Sequence, residues 1–158
     1  MTEKEIWLKI VEEAKSLSDD QSLSDSYLDE YITNFDKLSD SIGFKIASDL
    51  GQDVSSKAFS YKFLFSELKK VYENENILDG LVLDLLAVKQ RDPASTGYLS
   101  TLLFSKGFLA LQTHRASHYF FKKGETLLAN FLHSQASKIY SVDIHPAATI
   151  GVGVMLDH

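Results

Sequence analysis

At 158 residues and 17.7 kDa, 44% hydrophobic and 24% charged, the chain has the composition of one globular unit, and no apolar run approaches the roughly 18 residues of a membrane span. It has no cysteine, which excludes disulfides and thiolate chemistry. The net charge of −6 is uneven, with 18 acids and 10 bases in residues 1–90 against 4 acids and 6 bases in 91–158; without a dense basic face, nucleic acid is excluded as a partner.

The N-terminal stretch alternates charge signs and lacks the basic region, apolar stretch and small-residue cleavage site of a secretory signal, so a soluble, cytoplasmic protein is expected. From Glu3 to Leu17, Ile6, Trp7, Ile10, Val11, Ala14 and Leu17 recur at three- and four-residue spacing, which predicts an amphipathic helix. A second helix is predicted over 23–35, with Tyr27, Leu28, Tyr31 and Ile32 on one side. A third is predicted over 39–50, carrying Ile42, Ile46, Ala47 and Leu50 and ended by Gly51 in the left-handed C-terminal position. Helical spacing continues over 58–73, and a denser apolar set from Ile77 to Val88 predicts a helix buried on more than one face. That helix must end near Arg91, because Pro93 disfavours helical geometry at Asp92 and has no amide hydrogen. After a loop through Ser95, Thr96 and Gly97, a helix over 106–123 closes on two lysines and Gly124, and a last one spans roughly 126–137.

From Ile139 the period changes. Ile144, Ile150 and Leu156 are spaced by six, with Ala147, Ala148, Gly151 and Gly153 between them. A six-residue apolar period with glycines is the pattern of a parallel β-helix, in which each hexad forms one side of a coil. The expected fold class is therefore mainly α, a multi-helix domain over 1–138 followed by the beginning of a β-helix over 139–158.

Three strings carry a resemblance. Gln90, Arg91, Asp92, Pro93 and Ala94 form the first; Lys106, Gly107, Phe108, Ala110, Leu111, Gln112 and Arg115 the second; VDIHPAATIGVGVMLDH, residues 142–158, the third and most specific. Together they resemble the serine O-acetyltransferase family. The resemblance implies a helical N-terminal domain, then a left-handed parallel β-helix, in trimers that pair into hexamers. It implies transfer of acetyl from acetyl-CoA, a co-substrate rather than a bound cofactor, to the hydroxyl of L-serine in cysteine biosynthesis.

That chemistry needs a base, because a serine hydroxyl is a poor nucleophile at neutral pH and a histidine titrates in the useful range. The resemblance makes His158 the general base and Asp143 its orienting partner, with Asp92 and Asp157 binding the substrate amino group. Read from spacing alone, Asp92 before Pro93 is a turn or capping residue and Asp143 a polar residue at the entry to a strand. His145, before Pro146, is read as structural. His114 and His118 have metal-ligand spacing, but no third ligand accompanies them, so core or surface histidines are expected and no metal.

The family's β-helix needs many more hexads, and acetyl-CoA lies along them. The chain is accordingly expected to be a truncated product, inactive alone, that self-associates through its helical domain. L-cysteine as feedback inhibitor and an O-acetylserine sulfhydrylase gripping a C-terminal tail absent here are further implications. Two alternatives stay open: another hexapeptide-repeat O-acetyltransferase acting on a sugar or antibiotic hydroxyl, and a helical oligomerisation module without catalysis.

Overall fold

A computed structural model describes residues 1–18, 22–52 and 58–157. The elements are α1 (Glu3–Leu17), α2 (Ser22–Leu28) continued by a π-helical turn (Asp29–Thr33), α3 (Leu38–Gly51), α4 (Tyr61–Tyr72), α5 (Glu75–Arg91), α6 (Tyr98–Phe104), α7 (Lys106–Lys122) and α8 (Thr126–Tyr140). The expected mainly helical class is what is found, and no strand occurs among the described residues.

Local signals explain most boundaries. Thr2 and Glu5 form a reciprocal capping box at the start of α1, and its buried residues Ile6, Trp7, Ile10 and Ala14 face the core. Asn74 caps α5 by accepting from the Asn76 and Ile77 amides, and α5 ends at Arg91 as the proline requires. Gly124 takes φ 81° just after α7, the left-handed stop expected there.

Two helices are instead capped from a distance. Glu3 of α1 accepts from the Leu38 amide that opens α3 (3.0 Å), and Glu13 accepts from the Tyr98 and Leu99 amides that open α6 (3.2 and 2.8 Å). Helix α6 lies between the loop read at 95–97 and the helix read from 106, where the sequence pattern assigns no element, and this long-range cap is what starts it.

Gly51 does not adopt the left-handed conformation expected of it. It is the last residue of α3, and its role is close approach: a Cβ there would lie 2.9 Å from the Tyr61 backbone at the start of α4. The apolar faces of α1 and of the 23–35 segment, expected to drive self-association, are largely spent within the protomer, since Ile6, Trp7, Ile10, Ala14, Tyr31 and Ile32 are buried. Leu17 and Phe104 remain exposed beside Tyr27.

Helix α8 is fixed by polar contacts as well as by its apolar face. The Tyr140 hydroxyl donates to Asp49 (2.8 Å) and the Gln135 side-chain amide to the Leu50 carbonyl (3.0 Å), both on α3. Beyond Tyr140 the chain turns at Ser141 (φ 62°) and runs as an extended strap. Val142, Ile144, Pro146, Ala148 and Ile150 are partly or fully covered while the residues between them are exposed, which is strand-like alternation. It has no ladder, because less than one coil of hexads offers no neighbouring rung to pair with.

Candidate active site

The strap is held by a buried ionic clamp on α5 and α7. Asp84, fully buried in α5, accepts from Arg115 Nε (2.8 Å) and Nη2 (3.0 Å), from Gln112 Nε2 (2.8 Å) and from the Val154 amide of the strap (3.0 Å). A desolvated carboxylate is costly unless its lone pairs are met, and here four N–H donors meet them, two of them from one forked guanidinium. Arg115 reaches onward to the Ile150 and Gly151 carbonyls (3.4 and 2.8 Å), and Arg91 donates to the Gly153 carbonyl (2.8 Å).

Two glycines let the strap lie close. A Cβ on Gly80 would come within 3.1 Å of Val152, and one on Gly107 would sit 2.0 Å from the Leu156 carbonyl oxygen, which the backbone cannot allow. Gly107, noted in the sequence only as part of a string, is the seat of the strap's end.

His114 and His118, four apart on α7, peg the outer half of the strap. A carbonyl only accepts, so His114 donates through Nε2–H to Ala148 (2.9 Å) and His118 through Nδ1–H to Pro146 (2.8 Å). No cluster of three or more potential metal ligands occurs among the described residues. Burial pushes the His114 pKa below its ordinary 6.5, outweighing the backbone bond that favours the charged form. Since the unfolded chain binds that proton more readily, stability is full above pH 6.5 and declines as pH falls below it. The urea midpoint is expected to drop between about pH 7.5 and 5.5, with a shallower slope for His114→Gln; an identical slope in that variant would contradict the assignment.

The acids named from the sequence are distributed along this arrangement. Asp92, at the C-terminus of α5, accepts from the Ala94 amide (2.8 Å), so its turn role is present. It also lines an open cleft of about 420 Å³ with Ser95, Ser105 and Lys106, next to Gly107 where the strap ends. Asp157 follows Leu156 there and is exposed. Asp143 is anchored elsewhere, its carboxylate contacting His133 Nε2 of α8. His145 closes the turn below it, accepting the Ala147 amide at Nδ1 (3.1 Å) and the Ala148 amide at its carbonyl (2.9 Å), a structural role as expected. His158 lies outside the described residues.

Asp84, Arg115, His114, His118 and His133 contact the strap, a role that sequence reasoning assigned to none of them. Asp84 carried a signal, since it is the one acid within the otherwise apolar run from Leu81 to Val88. The others carried none that spacing alone could decode.

The family model for the N-terminal region of serine acetyltransferases matches residues 6–113. Serine acetyltransferase of Buchnera aphidicola subsp. Schizaphis graminum is 36% identical over 159 residues, covering 100% of this chain and 59% of that protein. Serine acetyltransferase 4 of Arabidopsis thaliana is 38% identical, covering 97% of this chain and 42% of that protein. Among solved structures, Neisseria gonorrhoeae serine acetyltransferase in complex with serine superposes with a TM-score of 0.89 at 33% identity, covering 97% of this chain and 62% of that one. A serine acetyltransferase in complex with CoA matches with a TM-score of 0.89 at 32% identity, covering 98% of this chain and 64% of that one. The fold is thus that of the helical region of acyl-transferring enzymes. The chain belongs to the serine acetyltransferase family and spans less than two thirds of the length of these relatives.

Proposed function

We propose that this chain is the helical domain and opening hexads of an acetyl-CoA-dependent serine O-acetyltransferase of cysteine biosynthesis. The observation that carries the reading is the motif over 142–158, whose Gly151 and Val154 are bonded to Arg115 and Asp84 of the helical body, in a chain similar to serine acetyltransferases solved with serine and with CoA. Residues 1–138 form the helical domain in this reading, and 139–158 begin a left-handed parallel β-helix.

Neutral His158 takes the serine hydroxyl proton as the oxygen attacks the thioester carbonyl of acetyl-CoA. The tetrahedral intermediate collapses, the carbon–sulfur bond breaks, and the proton passes from the imidazolium to the departing CoA thiolate, leaving O-acetylserine. Asp143 holds the imidazole in the productive tautomer and stabilises its charged form. Asp92 and Asp157 take the serine ammonium group by charge-assisted hydrogen bonds.

Assembly as a trimer or dimer of trimers, inhibition by L-cysteine at the serine site, engagement of O-acetylserine sulfhydrylase through a C-terminal tail and a cytoplasmic location belong to the same reading. Leu17 and Phe104, exposed around the half-buried Tyr27, offer the apolar surface for helical-domain association. A sugar- or antibiotic-directed acyltransferase is disfavoured by the long helical body. CoA release from acetyl-CoA by the natural protein at full length, with L-serine set against sugars and aminoglycosides, tests the choice. Turnover with serine alone is expected, and preference for a sugar would refute it.

A further inference from the structure

The carboxylate that orients a catalytic base must itself be fixed, and Asp143 has little around it to do so. Its side chain is 73% exposed on an extended segment without a ladder. What reaches it is His133, on a helix, with a side chain only 23% exposed. His133 lines a small cavity with Thr113, His114 and Ser117 of α7 and with Val142 and Ile144 of the strap, so its side chain is packed between α7 and the strap. The helix beneath it is tied to α3 at Gln135 and Tyr140, two and seven residues along. An ionised carboxylate only accepts, so Nε2 of His133 carries the proton, and the second carboxylate oxygen can accept from another donor at the same time.

We propose that His133 is a positioning residue for the acyl transfer, holding the Asp143 carboxylate from α8 so that it is presented to the base. The proposal rests on the reading of Asp143 as the partner of His158. It adds to that pair a third group, one that never touches substrate and acts only through Asp143. Outer partners of this kind are worth about 10–100-fold when they orient the ligands of metal sites, and the geometric demand here is similar. The titratable groups facing His133 are Asp143 and His145 from the strap and His114 from α7.

Two measurements test it, one independent of activity. In the 158-residue chain, Asp143→Asn is expected to shift the NMR resonances of the His133 ring, because it replaces the carboxylate that the Nε2–H meets. Unmoved ring resonances would overturn the contact. In the natural protein at full length, His133→Leu is expected to lower kcat about 10–100-fold with KM for acetyl-CoA within about twofold and thermal stability unchanged. His133→Gln, which keeps an amide donor, should restore most of that loss, and His133→Leu should cost little more in an Asp143→Asn background. A His133→Leu enzyme as active as its parent would overturn the positioning role alone, and so would equal losses for Leu and Gln. A parent that does not acetylate serine, in a protein whose His133 still responds to Asp143→Asn, would sink the functional reading instead and the positioning role with it.

Discussion

Asp84→Ala is expected to destabilise the protein by about 3–5 kcal/mol, as removal of one partner of a buried ion pair does. The substitution strands the Arg115 guanidinium, the Gln112 side-chain amide and the Val154 amide in a site that is fully buried at Asp84 and 10% exposed at the Arg115 side chain. For a domain of this size that corresponds to a fall in melting temperature of about 6–20 °C. Asp84→Asn keeps the shape and one acceptor and should lose less. The effect should also have a location, since the Val154 amide is bonded directly to Asp84 and its protection from hydrogen exchange is expected to collapse. A loss under about 1 kcal/mol, with Val154 still protected, would mean that the strap is held by something else.

Much of the helical body was legible in the sequence because its signals are local. Helix α1 runs from Glu3 to Leu17 as its apolar spacing requires, and Pro93 stops α5 at Arg91 by simple sterics. The reading failed where the cause is distant. Helix α6 is started by Glu13, which lies 85 and 86 positions from the two amides it caps, and Gly51 serves contact with α4 rather than a helix stop. At the end of the chain the hexad spacing led to the expectation of a β-helix, whereas the described segment is a strap fastened by side chains rather than a strand, because a rung of a β-helix is made by the rungs beside it.

The resemblance named Asp92, Asp143, Asp157 and His158 as candidates, and the frame that holds the strap was not legible beside them. Asp84 and Arg115 become a clamp only when α5, α7 and the strap meet, over separations of 31 and 70 residues. His133 is likewise an ordinary helix residue until residue 143 returns to it.

The central claim is that acetyl transfer to serine depends on His158, and its replacement bears on that claim most directly. A general base contributes about 10²–10⁴-fold, so serine-dependent CoA release by the natural protein at full length should fall by that factor in His158→Ala. The loss should appear in kcat, because the proton moves only as the hydroxyl attacks, and KM for acetyl-CoA and the melting temperature should stay close to the parent's. Restoration of part of the rate at high pH would agree with a missing base, since more of the alkoxide then forms without help. The measurement is the steady-state rate of serine-dependent CoA release by parent and His158→Ala enzymes side by side: a loss of about a hundredfold or more in kcat is the expected result, and kcat within about tenfold of the parent would contradict the account.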